Sequence, residues 1–467
     1  MSVFRAYIFF ITIAIATAQQ PAAGTIAPPP EYQTLRQQED WSVMRDESRM
    51  VDWSDRLKYI RLGQRDGWYM SAGGDIRPYY ERFRNEEWGG QPQDLNGFFL
   101  QRYMLHADVH FGSSVRVFGQ LKSNFENGRK GGPRPSDEDK LDVHQAFLDI
   151  KWNASAKRSF VLRMGRQELE YGSSRLVSVR EGPNVRQSFD GVRALTRVQD
   201  WQIDLFAVRP VQTNRGYFDD SPDHKRALWG VYAVRPTSFV LARNIDLYYL
   251  GFSRTDARFD QGEGKELRHT LGTRLWGNVQ GWDYNTEFTY QLGTFGPGQI
   301  RAWAAASETG YTFENVPLKP HPMIKANITS GDRNPDDRDL QTFNSMFPKG
   351  AYFGQLSPVG LSNHRDLHPA VELSLPRNVN VMLDWIFYWR HSTRDGIYAI
   401  SGNLVRTGQI SRARYIGHQP EIEVRWQMDR HTEFALSYAR FLTGRFLAET
   451  PPGRNTTYFA LWMTYKF

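Results

Sequence analysis

The sequence predicts an all-β protein: a transmembrane up-and-down antiparallel β-barrel of about eighteen strands, with short periplasmic turns and long extracellular loops. Three observations predict it. From Gly67 onward, apolar and polar residues alternate with a period of two, as they do in strands that bury one face. The connections between these strands alternate long and short, so that the long ones gather on one side. The last strand, Thr456–Phe467 (TTYFALWMTYKF), sets Phe459, Leu461, Met463, Tyr465 and Phe467 on one face and stops on an aromatic residue. An apolar strand at that position suits a closed barrel, in which the last strand pairs with the first and leaves no edge.

Composition agrees. The 467 residues are 14% aromatic, yet the mean hydropathy is only −0.58. A barrel wall that is apolar on one side only has this profile, and beyond Ala18 no apolar run nears the ~18 residues of a spanning helix. Residues 1–18 read as a signal peptide that is removed. Arg5 supplies the positive start, Tyr7 to Ala16 the apolar stretch and Ala16-Thr17-Ala18 the cleavage site. There is no cysteine, hence no lipid-anchored thiol, disulfide or thiolate chemistry. Export and a barrel together place the protein in the outer membrane of a Gram-negative bacterium, with outer-membrane lipid as its first partner. The net charge of +7 is scattered along the strands, and export removes the chain from nucleic acid. We therefore expect no nucleic-acid partner, and a lumen for anions.

Residues 19–66 form the expected periplasmic N-terminal linker. Its first part, to Gln38, is polar with Pro28-Pro29-Pro30 and reads as flexible or extended; Glu39 to Leu62 carries a candidate short helix. The barrel occupies 67–467. Strands are expected near 67–82, 98–112, 114–126, 141–152, 159–167, 189–198, 200–213, 228–236, 244–256, 265–278, 280–293, 298–310, 321–330, 366–376, 379–393, 414–428, 431–443 and 456–467. Short turns fall at Gly112-Ser113, Gln199, Asn278-Val279 and Arg377-Asn378, and long loops at 83–97, 127–140, 168–188, 214–227, 331–365, 394–413 and 444–455. Strand parity sends Val115, Val117, Leu121, Leu267, Leu271, Leu275, Trp282, Phe288, Leu383, Trp385, Ile416, Ile422 and Trp426 toward lipid. The opposite faces are dense in charge, and the lumen is expected to be wet.

Three stretches carry a family signal. One runs from Asp52-Trp53 through Leu57-Lys58-Tyr59-Ile60 to Gly73-Gly74-Asp75 and Tyr80-Glu81. The second is Gly165-Arg166-Gln167-Glu168-Leu169 through Gly182-Pro183-Asn184-Val185-Arg186 to Asp190-Gly191-Val192-Arg193. The third is Ser330-Gly331-Asp332-Arg333-Asn334-Pro335 through Phe347-Pro348 to Tyr352-Phe353-Gly354. Together they resemble the alginate-export family of outer-membrane barrels, over nearly the whole chain from about Trp53 onward. The resemblance implies a monomeric eighteen-stranded barrel whose electropositive, arginine-rich constriction is narrowed by loops and turns. It also implies transport of an anionic polysaccharide.

A polyuronate carries one carboxylate per sugar, and a guanidinium holds a carboxylate bidentately while keeping its charge. Parity offers Arg77, Arg102, Arg116, Lys122, Arg163, Arg193, Arg268, Arg274, Lys325, Arg390 and Arg425 as lumen cations along the substrate path. Asp75, Glu81, Asp108, Asp149, Glu287, Asp384, Glu421 and Glu423 are the expected lumen acids. Any of these can equally be a wall ion pair that meets no solute. Arg166 falls on the lipid-facing parity, so it reaches the lumen only through a bulge or by leaving the membrane band. Asp332, Asn334 and Asp336 have the spacing of a calcium loop but lack its glycine and distal glutamate; a solvated acidic loop is the alternative. No other cofactor is expected. Glu421 and Glu423 share a strand face, which polar barrel walls produce routinely, and no nucleophile elbow or zinc motif is present; no enzyme is expected. The rival reading is a porin for uptake of small anions. A periplasmic export scaffold is a further candidate partner.

Overall fold

The structure is a computed structural model that describes residues 28–155, 157–237 and 243–467. The expected signal peptide and the start of the linker lie outside them. Eighteen antiparallel strands form one continuous sheet: β1 Trp68–Arg84, β2 Phe98–Phe111, β3 Val115–Asn127, β4 Asp139–Ser155, β5 Arg158–Gln167, β6 Phe189–Val198, β7 Trp201–Gln212, β8 Arg226–Pro236, β9 Asn244–Phe259, β10 Gly262–Val279, β11 Trp282–Phe295, β12 Gly298–Tyr311, β13 His321–Thr329, β14 His364–Leu375, β15 Val379–Arg390, β16 Tyr415–Gln427, β17 Thr432–Thr443 and β18 Thr456–Lys466. Each pairs with the next in sequence, and β18 pairs with β1, with Tyr80 opposite Leu461 and Asp75 opposite Lys466. The ring closes. Every expected strand is found, with ends shifted by a few residues.

The alternation of faces follows from the two solvents the wall separates. Leu121, Leu271, Phe288, Ile324, Leu383 and Trp385 are exposed on the outer face, where a bilayer covers them, while Lys122, Thr270, Glu287 and Arg274 are buried inward. Several turns on the periplasmic side are tight, although the connection 312–320 is longer. Gln280-Gly281 is a two-residue hairpin turn with both residues at positive φ, and in the three-residue turn 376–378 Arg377 and Asn378 are also both at positive φ; the first lies two residues beyond the expected Asn278-Val279. On the outer side, two connections that the alternation would make long, 260–261 and 296–297, are two-residue turns.

Three expectations are corrected. Ile416 does not face lipid: the β15–β16 register slips between Tyr388 and Trp389, and the bulge beside Gly417 turns Ile416 inward onto Phe353, Tyr388 and Phe441. The segment from Pro28 is not a free linker. Four short 3-10 helices, Arg36–Gln38, Ser42–Arg45, Glu47–Arg49 and Trp53–Leu57, and the short strand Ile60–Arg61 beside β1 fold it against the barrel. Nor is the lumen simply wet. The connections 168–188 and 330–363 fold into it, and Leu169, Tyr171, Leu176, Val177, Phe343 and Phe347 pack with inward Phe189, Phe206, Tyr232 and Tyr248 in a buried apolar cluster.

Gly165 and Gly191 lie opposite each other on β5 and β6 with φ of 127° and 157°. A Cβ on Gly191 would collide with the Ala207 carbonyl across the β6–β7 ladder. Gly191→Val is therefore expected to destabilise the barrel by about 2–4 kcal/mol, read as loss of the heat-modifiable folded band on a gel, whereas Val192→Ala on the outer face leaves that band intact.

Candidate functional site

The candidate site is the lumen, and its geometry is set by what fills it. From the periplasmic mouth comes 28–62. Arg36 donates to the carbonyls of Gly74 (2.8 Å) and Phe467 (2.9 Å), and the Gln37 carbonyl accepts from Arg116 at 2.8 Å. Asp52 and Asp55 pair with Arg430 on the β16–β17 turn at 3.0 and 2.8 Å. Lys58 is fully buried: its Nζ donates to the Ala72 carbonyl at 2.9 Å and lies 5.1 and 4.9 Å from the ring centres of Tyr32 and Trp41.

From the outer side comes 168–188. Glu181 at its tip meets Arg102, Arg186 (3.0 Å) and Arg77 (3.8 Å), while Arg77 also donates to the carbonyls of Glu181, Gly182 and Pro183. Burial alone would raise the Glu181 carboxyl, but Arg102, Arg186 and Arg77 outweigh it and hold the group far below the ordinary range. Arg175 in the same loop reaches Glu287 (2.5 Å) and Glu308 (2.8 Å) across the lumen. The connection 330–363 docks opposite, where the Gln355 backbone N–H and side chain donate to Glu421 (2.8 Å) and Glu423 (2.7 Å). These two carboxylates hold a loop.

All eleven parity-chosen cations lie on the lumen side, and most meet acids. Arg102 also pairs with Asp75 (3.6 Å); Arg116 with Asp108 (2.7 Å) and Asp149 (3.6 Å); Arg163 with Asp149 (2.7 Å). Arg193 Nε donates to Asp204 at 2.6 Å, Arg268 pairs with Glu266 (2.6 Å), Arg274 with Asp246 (2.9 Å) and Arg425 with Glu423 and Glu433 (2.5 and 3.0 Å). Lys122 sits between Asp139 (2.6 Å) and Asp220 (2.7 Å). Arg390 spends its donors on the carbonyls of Ala413, Asp395 and Ser411, holding the 391–414 loop. Asp384 accepts from His368 at 2.6 Å and Glu81 from Tyr458 at 2.8 Å. Lys325 alone of the eleven has neither a carboxylate within 4.0 Å nor a hydrogen bond among the described residues. Arg166 keeps its outward parity at the rim and pairs with its register neighbour Asp190 at 2.8 Å.

In the acidic loop, the Asn334 N–H donates to Asp332 at 3.2 Å and its side-chain amide to Asp337 at 3.0 Å. Burial, with Asp395 beside it, pushes the Asp332 carboxyl up to about 6. Among the described residues, three carboxylates converge within reach of one cation at Asp139, Asp142 and Asp220, where the Lys122 ammonium already sits between two of them. Sequence reasoning missed Arg36, Lys58, Arg175, Glu181 and Arg186. The last three sit in the second family-like stretch and Lys58 in the first; nothing local marks Arg36 as a lumen residue.

The seat of Lys58 has a pH dependence. Burial first, and then Arg36, lower its pKa from 10.5 to about 7. The released segment would carry this lysine near its ordinary value, so seating sheds a proton and strengthens as pH rises from about 7 to 10.5; below about 7 both states are charged and seating is weakest. Channel opening is expected to fall over that window in single-channel recordings, and Lys58→Met to flatten the profile.

The fold has close counterparts. OccK11 (OpdR) of Pseudomonas aeruginosa superposes with a TM-score of 0.56 at 12% identity, covering 88% of this chain and 99% of its own. P. aeruginosa OpdK, solved with vanillate, gives 0.56 at 10% identity, covering 85% and 98%. OccK2 (OpdF) of the same organism, solved in complex with glucuronate, gives 0.54 at 12% identity, covering 85% and 96%. Comparison with curated protein sequences returned no match. With its closed ring of eighteen strands, its lipid-facing apolar girdle and its plugged polar lumen, this is an outer-membrane channel. The alginate export family matches residues 68–460, and the chain belongs to it.

Proposed function

We propose that the protein conducts carboxylate-bearing saccharides and exports an acidic polysaccharide of the polyuronate type. The observation that carries this reading is the state of the lumen cations. Most arginines are occupied by wall or loop carboxylates, which neutralise them for a passing anion. Lys325, on the β13 wall, and Arg180, in the 168–188 loop, have no carboxylate within 4.0 Å among the described residues. Arg180 lies 5.7 Å from the Phe347 ring centre with its Nε buried and unbonded. Two separated cations without a direct ion-pair partner, Lys325 with Glu308 opposite it in the ladder, bind a carboxylate and release it, whereas a continuous arginine clamp would trap a polymer. Family membership supports export, and the vanillate and glucuronate bound by barrels of the same fold are themselves carboxylates.

Uptake of small carboxylates is the second reading. The filling of the lumen favours it, because 28–62, 168–188 and 330–363 are all bound inside the ring and narrow what can pass. No enzymatic step is assigned; the family is one of channels.

In planar bilayers we expect anion selectivity, and block by polyuronate oligomers but not by neutral oligosaccharides. Lys325→Gln should weaken that block roughly five- to tenfold, the worth of one charge-assisted hydrogen bond. Block by monomeric uronate alone would favour uptake; cation preference would overturn both readings.

A further inference from the structure

One part of the outer wall departs from the rest. On β11 to β14 the lipid-facing side chains become small: Thr286 lies opposite Ser307, Ser307 opposite Ala326, and Ala305 opposite Ile328. Large exposed residues flank them, Phe288 on one side and Leu367 on the other. The result is a groove of about 640 Å³ on the lipid-facing surface, and it differs from a second outer depression of about 530 Å³, lined by Leu247, Leu271 and Phe288, in having arginines along its lining.

The outer end of this groove is cationic. Arg365 lies beside Ile328 and Trp389 in the ladder and faces outward; its Nε donates to His391 Nδ1 at 3.2 Å, so that nitrogen carries no proton. Arg414 lines the groove with Arg365 and donates to the Arg390 carbonyl at 2.9 Å. Arg333 joins them: burial and the charges of Arg365, Arg333 and Arg414 hold the His391 ring down to about 4. None of the three guanidinium groups has a carboxylate within 4.0 Å among the described residues. Many of the chain's arginines pair with acids, yet here three with no carboxylate partner collect at the rim of the membrane band, where they repel one another. Such an arrangement calls for an external anion.

We propose that this groove is a binding site for a phosphorylated, multiply acylated glycolipid of the outer leaflet, with an acyl chain lying along the small residues and a phosphate bridging Arg365 and Arg414. A phosphate matches a guanidinium fork bidentately and would neutralise the cluster, while the groove supplies the apolar contact that a free anion would not use. The indole of Trp389 sits at the level where aromatic side chains meet headgroups.

Native mass spectrometry of the detergent-purified full chain tests this, with lipid A carrying both phosphates and the same lipid with its phosphates removed as probes. Wild type should retain the phosphorylated lipid preferentially. The Arg365→Gln/Arg414→Gln pair should lose at least roughly tenfold in retention, from two charge-assisted contacts. Ala326→Phe, which fills the groove and leaves the charges alone, should lose retention as well, with the heat-modifiable band confirming a folded barrel in each case. Equal retention of both lipids by wild type, or no loss in the arginine pair, would overturn the site. So would unchanged retention in Ala326→Phe, which would leave a bare anion site. Equal loss in Arg82→Gln/Arg84→Gln, outward-facing on β1, would replace it with diffuse charge attraction.

Discussion

A bilayer interior offers no hydrogen-bond partner to a backbone, and the rest of this structure depends on that constraint. It forces the sheet to close, and closure is made by the pairing of β18 with β1, extended by the reciprocal bonds between Gly74 and Phe467 at 2.9 and 3.0 Å. An even number of strands brings both ends of the wall to the same side. The N-terminal segment therefore arrives at the mouth where the sheet seals itself.

Eighteen strands make a ring too wide for its own side chains to fill. The chain fills the space with segments of itself, and the inward arginines hold them there. Arg77 and Arg102 grip the 168–188 loop, Arg116 the Gln37 carbonyl, Arg390 the 391–414 loop. In the dry parts of such a lumen, a buried guanidinium without partners would be costly, so each segment brings acids or carbonyls to it. The arginines are thus first the mounting of the plug. Only the cations left over are free to meet a solute.

The wall was legible in the sequence because lipid enforces a period of two, and that signal needs no knowledge of partners. The reading of faces failed where the period broke, at the bulge that turns Ile416 inward. The inward direction of Arg116 or Arg274 was readable from parity; their service as wall and plug contacts was not, because a strand pattern does not say what stands across the lumen. The segment after Pro28 read as a linker for a similar reason. Its proline run and polar composition are those of a linker, and the groups that fix Arg36 lie 38 and 431 residues away in sequence. Asp332, Asn334 and Asp336 have a calcium-like spacing, and in the folded loop the Asn334 backbone and side chain donate to Asp332 and Asp337, neighbours that the spacing does not name.

The bond from Arg36 to the Phe467 carbonyl has a consequence for the order of assembly. Half of the anchor of the segment that carries Arg36 is made by the residue that follows β18. Gly74 alone offers one acceptor; the pair of acceptors exists only after β18 has docked on β1. The full anchor is thereby available only once the two ends of the sheet have joined, and a seated plug is a molecular record that the ring behind it has closed.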